Sequence, residues 1–143
     1  MNSNKKTARI LEDVKISVKM KLSALWVAAM FCYLYADVLG FFAPGILEEL
    51  IAGEVGGMQV TQLFLLGSAI FMVPPIVMIL LSLTLKAKVN RWANIIVGIV
   101  YTGVALTTIL TATSAGYFVY GSVEVVLTAL IVWYAWKWPK QEA

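Results

Sequence analysis

The chain has 143 residues, of which 61% are hydrophobic and only 13% are charged. Soluble domains average about 25% charged and about 45–50% apolar residues, so a water-soluble fold could not bury this much apolar surface. The net charge of +3 does not indicate a nucleic-acid partner, because the basic residues fall in three separate stretches and form no single polar face.

Residues 1–21 form a basic lead-in to the first apolar segment. Ile10, Leu11, Val14 and Val18 recur at helical spacing among lysines, which predicts an amphipathic helix lying on an anionic membrane surface. Apolar residues in this stretch also alternate, as they do in an extended strand. We favour the interfacial helix.

Four apolar segments follow, each near the roughly 20 residues that a membrane-spanning helix needs. We predict spans at about residues 22–43, 59–85, 92–113 and 116–137. They make up one transmembrane domain, residues 22–138, with a short tail at 139–143. Because short turns join the spans, the expected fold is an all-α integral membrane protein built as an antiparallel four-helix bundle.

The apolar segments are interrupted at two places, once between the first two spans and once inside the second. Pro44 ends the first span, and the stretch after it carries Glu48 and Glu49 on a pattern that predicts a short outer helix. Pro74 and Pro75 lie in the middle of the second span, where they free backbone carbonyls that must find partners or line a cavity. Both a packing kink and a functional hinge fit this pair.

The basic residues indicate the orientation of the chain. All 11 of them fall before the first span, in the turn between spans 2 and 3, or at and after the end of the fourth span. Cytoplasmic loops are enriched in Lys and Arg, so we expect a multi-pass protein of the cell (inner) membrane with both termini in the cytoplasm. Asn90, Arg91 and Asn94 at the inner turn could bind a lipid headgroup, but a capped turn with a snorkelling arginine explains them equally well.

Glu124 is the residue that most needs an explanation, because it lies inside the fourth span. We place it roughly 10–15 Å from the outer end of its helix. An ionised carboxylate at such a depth costs from about 3 to more than 10 kcal/mol, so it normally has a partner or a wet cavity.

Polar residues of the other spans fall in the same outer half of the bundle. We expect an outward-facing, acid-lined cavity formed by Glu124, Asp37, Gln62, Gln59, Tyr33, Tyr120 and Thr108. Two carboxyl groups in a dry site repel, so one would keep its proton, and it could exchange that proton for a cation or an amine. The alternative is that Glu124 only ties the helices together through a hydrogen bond to Tyr33, Gln62 or a threonine.

Cofactor chemistry has little support in this sequence. The chain holds one cysteine, Cys32, and no histidine, so a redox thiol pair and the usual ligands of zinc and haem are missing. We expect no cofactor and no metal site. No nucleophile–base pair is visible either, although Glu124 and Asp37 could serve as acid and base on an apolar substrate.

Five separated motifs resemble a bacterial and archaeal family of small four-helix membrane proteins, which is known only as a domain of unknown function. The motifs are K-L-S-A-L-W, Y-L-Y-A-D-V-L-G, V-G-G-M-Q-V-T-Q, N-R-W-A-N-I and I-V-W-Y-A-W-K-W-P, between Lys21 and Pro139. The resemblance implies the four-helix fold and no activity. The residues in or beside these motifs are Asp37, Gly56, Gly57, Gln59, Gln62, Asn90, Arg91, Asn94 and Glu124.

The function we favour from the sequence is binding or transport of a small cationic or amphipathic solute, coupled to protons. Small multidrug exporters and the sigma-2-like proteins are similar in architecture alone, since both use acids in a four-helix membrane protein. A structural or regulatory membrane subunit is the first alternative, and a cofactor-free enzyme acting on a lipid is the second. The expected partners are the lipid bilayer, a cationic or lipid-like ligand and, in one arrangement, a second copy of the chain.

Overall fold

The computed structural model describes residues 14–112 and 114–139, and most of them are helical. In chain order the elements are α1 (Val18–Gly40), α2 (Ile46–Ile51), β1 (Glu54–Val55), β2 (Met58–Gln59), α3 (Gln62–Thr84), α4 (Ala87–Leu110) and α5 (Ala115–Trp136). Four of them, α1, α3, α4 and α5, are long and apolar enough to cross a membrane. The all-α class and the four spans are thus confirmed.

Hydroxyl side chains fix where three of the long helices begin. Ser17, Thr61 and Ser114 stand just before α1, α3 and α5, and each accepts a hydrogen bond from a backbone N–H of the first turn. Such caps satisfy donors that have no partner inside the helix. The fourth long helix, α4, follows Lys86 without a side-chain cap.

The lead-in differs from its prediction where the structure describes it. Residues 14–17 are not helical, and α1 begins at Val18 directly after the Ser17 cap. Val18 therefore belongs to the first span and not to a separate interfacial helix. The rest of the predicted interfacial helix, residues 1–13, lies outside the described residues.

The short outer helix is present as α2, but an unpredicted hairpin follows it. Strands β1 and β2 pair antiparallel, with Glu54 opposite Gln59. Gly56 and Gly57 connect them at φ values of 54° and 76°. A two-residue hairpin turn with two left-handed positions favours glycine at both, which explains this pair.

The long helices pack in an order that differs from their order in the chain. Helix α5 packs against both α1 and α4, and α1 also packs against α3. Gly98 allows the close approach of α4 to α5, since a Cβ there would stand 2.8 Å from a methyl of Val132. Helices α3 and α4 follow each other in sequence yet touch far less than these pairs, so a weak seam runs between them.

The two ends of the bundle are packed differently. The end with the start of α1, the α3–α4 turn and the end of α5, here called the terminal end, holds the main apolar core around Leu22, Trp26 and Ile131. The opposite end, here called the hairpin end, is more open. There the first half of α3, residues 62–71, is exposed at every position except the half-buried Phe64.

Candidate functional site

A cavity of about 210 Å³ lies between all four long helices, toward the hairpin end. We call it the acidic cavity. It is lined by Tyr33, Ala36 and Asp37 of α1, Phe71 and Met72 of α3, Val104 and Thr108 of α4, and Tyr117, Tyr120, Gly121 and Glu124 of α5.

Five of the seven predicted cavity residues line this space: Glu124, Asp37, Tyr33, Tyr120 and Thr108. The two glutamines do not. Gln59 lies in β2, where its Nε2 donates to the Oε1 of Glu54 at 2.6 Å. Gln62 is exposed at the first position of α3. The contribution of α3 to the cavity is instead apolar.

The Glu124 carboxyl is buried without a partner on its inner oxygen. The residue is only 2% exposed, and its Oε2 accepts no hydrogen bond from any residue that the structure describes. The buried hydroxyl of Tyr33, on the neighbouring helix α1, is also without a partner among these residues. Buried polar groups are nearly always hydrogen-bonded, so two such groups lining one cavity point to a ligand or water between them.

The threonines near Glu124 do not bond its carboxylate. The hydroxyl of Thr128 donates to the backbone carbonyl of Glu124 at 2.8 Å, and that of Thr108 donates to the carbonyl of Val104 at 3.2 Å. Both bonds stay within one helix. The helix-tying hydrogen bond expected as the alternative role of Glu124 is therefore absent among residues 14–112 and 114–139.

Helix tying is instead the work of a buried amide network at the terminal end. The Oδ1 of Asn94 accepts from the Nε1 of Trp26 at 2.8 Å and from the hydroxyl of Ser82 at 3.2 Å. Asn90 donates to the Ser82 carbonyl at 2.6 Å and accepts from the Nδ2 of Asn94 at 2.7 Å. These bonds join α1, α3 and α4.

Two of the three residues predicted to bind a lipid headgroup, Asn90 and Asn94, belong to this network. Asn90 and Asn94 have no exposed surface, and their amides bond other side chains and backbone groups inside the bundle. Arg91 is the one of the three that remains partly exposed, with its guanidinium carbon 6.0 Å from the rings of Trp92 and Trp136. A headgroup role for the two asparagines does not fit their burial.

An aromatic cluster closes the acidic cavity toward the terminal end. Tyr101 is 2% exposed, and its ring lies 5.1 Å from that of Phe71 and 6.4 Å from that of Tyr33. On its other side it meets Trp26 edge-on at 6.1 Å, and Trp26 in turn belongs to the amide network. The cavity floor is thus aromatic and tightly packed.

Tyr117 stands at the hairpin-end mouth of the cavity. It lines the acidic cavity and also two further recesses, one beside Thr107 and Thr111 and one beside Gly40. A Cβ on Gly40 would overlap the Tyr117 hydroxyl, so this glycine makes room for the ring. No sequence pattern indicates this contact, because it depends on how α1 and α5 meet.

The charged residues described at the cavity are all acidic. Two carboxyl groups, Glu124 and Asp37, line it, and none of the basic side chains that the structure describes does. Among the described residues no group of three or more Cys, Asp or Glu side chains is placed to hold a metal ion. The arrangement can therefore attract a positive charge with carboxylates and aromatic rings.

One protein family matches this chain. Its model covers residues 9–143, and it is described as a Family of unknown function (DUF6326). Comparison with curated proteins and with solved structures gives no match. The four apolar helices and this match describe a membrane protein without assigning it an activity.

Proposed function

Because the chain belongs to this family of unknown function, we propose its role from the acidic cavity itself: the protein binds a small organic cation there and releases a proton from Glu124 in exchange. The observation that carries the proposal is the Glu124 carboxyl, 2% exposed and with Oε2 unpartnered among the described residues.

The exchange follows from the cost of a buried charge. A carboxylate in apolar surroundings is stable only when it carries a proton or faces a compensating charge. A bound cation supplies that compensating charge, so Glu124 can release its proton when the cation binds. Asp37 lies at the exposed side of the same cavity, where it adds negative potential along the way in.

The rest of the lining favours an organic cation over a small inorganic one. Tyr33, Tyr117, Tyr120 and Phe71 surround the carboxyl groups. Aromatic faces attract cations within about 6 Å, and recognition of substituted ammonium groups is the best-known use of such rings. A small inorganic ion would instead need several oxygen ligands to replace its hydration shell.

The orientation proposed with this function places the terminal end in the cytoplasm. Lys19, Lys86 and Lys137 lie at that end, while Glu48 and Glu49 lie at the hairpin end. This distribution follows the excess of Lys and Arg in cytoplasmic loops of inner-membrane proteins. The acidic cavity then opens toward the outer face of the membrane.

Transport of the bound cation, as distinct from binding alone, requires part of the protein to move. The terminal end is closed by the aromatic cluster and the amide network, so release to the cytoplasm requires that end to open. Pro74 and Pro75 in α3 and the weak α3–α4 seam supply a segment able to move. Uptake of a bound cation into proteoliposomes carrying a proton gradient separates transport from binding.

Thermal unfolding of the purified protein with a panel of organic and inorganic cations tests the proposal. A ligand at 100 times its Kd stabilises the folded state by about 2.7 kcal/mol. We expect organic cations to raise the Tm of the wild type and of Glu49→Gln, which loses an exposed carboxylate, but not of Glu124→Gln. An equal rise in Glu124→Gln, or no rise with any cation in the wild type, would contradict the proposal.

A further inference from the structure

A second, larger recess adjoins the acidic cavity along the exposed half of α3. This α3 groove has a volume of about 430 Å³ and is lined by Leu63, Phe64, Gly67, Ser68, Phe71 and Met72. Phe71 and Met72 also line the acidic cavity. The two spaces therefore adjoin at these two side chains, and a molecule that reaches past them would extend from the carboxyl groups into the groove.

The chemistry changes sharply from one space to the other. The acidic cavity has two carboxyl groups, whereas none of the described residues that line the groove is charged. Its one hydroxyl, that of Ser68, already donates to the carbonyl of Phe64 at 2.9 Å. The groove therefore presents an apolar surface, and its hydroxyl needs no hydrogen bond from a ligand.

The sizes of the two spaces suit the two parts of one ligand. The acidic cavity, at about 210 Å³, is smaller than the roughly 300–1,000 Å³ that usually encloses a drug-sized molecule. It can take a charged head of a few heavy atoms. The α3 groove, at about 430 Å³, has room for an apolar chain.

From this juxtaposition we propose that the ligand is an amphipathic cation, with its charged head beside Glu124 and its apolar tail in the α3 groove. This inference rests on the proposed function and names its ligand class. The groove lies on the half of α3 that stands apart from the bundle, so such a ligand enters sideways from the bilayer, between α3 and α4.

Gly67 offers a direct way to fill the groove. It lines the groove, and a Cβ added to it would meet no heavy atom of its surroundings within 4 Å. Gly67→Leu therefore adds bulk to the groove from a position where the Cβ has open space. Gly103→Leu is the matched control, because Gly103 of α4 has equally open space and lines neither recess.

The test is a titration of each variant, in lipid nanodiscs, with alkyltrimethylammonium ions whose single long chain has one to eight carbons. In the wild type and in Gly103→Leu we expect the affinity to rise about fourfold for each CH₂ that enters the groove. In Gly67→Leu the rise should be lost, while tetramethylammonium binds as it does to the wild type. Tails also partition into the bilayer, but equally for all variants.

A second pair of variants covers the case in which Gly67→Leu does not fold. Leu63→Ala removes one wall of the groove and should flatten the rise with chain length, whereas Leu66→Ala, outside the groove, should not. The amphipathic ligand is overturned if the rise is the same in all variants, or if affinity is independent of chain length while Glu124 is still required. Failure of every ion to bind, including tetramethylammonium, overturns the proposed function as well.

Discussion

The hydroxyl of Tyr101 donates a hydrogen bond to the backbone carbonyl of Phe71, four residues before Pro75. In an α-helix that carbonyl would accept from the N–H of residue 75, which proline lacks. A side chain of α4 thus replaces the backbone bond missing in α3. The bond lies at the floor of the acidic cavity. It joins α3 to α4, two helices that otherwise have little contact.

Tyr101→Phe should therefore destabilise the protein by about 1 kcal/mol, the usual size of an interhelical hydrogen bond in a membrane protein. Tyr35→Phe is the control, since Tyr35 is exposed on α1. Chemical unfolding in detergent measures both. In a Pro75→Ala background, which restores the missing N–H, the cost of Tyr101→Phe should shrink. An unchanged cost there would contradict the assigned role of the bond.

The buried amide network should matter more to stability than to binding. Asn94→Leu leaves the Nε1 of Trp26 and the hydroxyl of Ser82 without their shared acceptor, and an unsatisfied buried group costs about 1–3 kcal/mol. Two such donors are left, so we expect unfolding curves to show a loss of at least about 2 kcal/mol. Thr102→Ala, which removes a bond confined to α4, should cost less.

Binding separates this network from the acidic cavity. Folded Asn94→Leu protein should bind organic cations as the wild type does, because Asn94 does not line the cavity. Loss of cation binding in well-folded Asn94→Leu would show that the two sites are coupled, against this account.

Gly40 and Tyr117 make a second pair that can be separated by mutation. Gly40→Ala places a methyl where the Tyr117 hydroxyl lies, so it should destabilise the protein by about 1–3 kcal/mol, the range for an overfilled interior. Tyr117→Phe removes that hydroxyl and should recover part of the loss when it is combined with Gly40→Ala. Simple addition of the two effects would show that the contact is unimportant.

The sequence predicted those features that depend on one helix at a time. Apolar length located the four spans, and the depth of Glu124 in the last one followed from counting residues. Depth along the spans, together with helical spacing on one face, predicts Asp37, Tyr33, Tyr120 and Thr108 near it, and all four line the same cavity.

The remainder depends on how helices face one another, which depth does not determine. Gln62 was expected in the cavity because it lies in the outer half of its span, yet the start of α3 stands apart from the bundle. The position of Asn90 and Asn94 at the inner turn fits headgroup binding or a capped turn, but α4 turns them toward Trp26 and Ser82. The hairpin is not predicted from the sequence, because its strands have only two residues each.

The proposed orientation predicts which end of the bundle reacts outside the cell. In a Cys32→Ala background, Ala52→Cys reports on the hairpin end and Pro139→Cys on the terminal end. A membrane-impermeant thiol reagent should label Ala52→Cys in intact cells, and Pro139→Cys only after the cells are opened. The reverse pattern would turn the acidic cavity toward the cytoplasm and refute this orientation.

The measurement that tests the central claim most directly is proton release on cation binding, followed with a pH dye in weakly buffered solution. If Glu124 exchanges its proton for a cation, the wild type and Glu49→Gln should each release up to about one proton for each tetramethylammonium bound, and affinity should fall as the pH is lowered. Glu124→Gln should release none. Equal binding and equal proton release by Glu124→Gln would show that this carboxyl is not the exchange site.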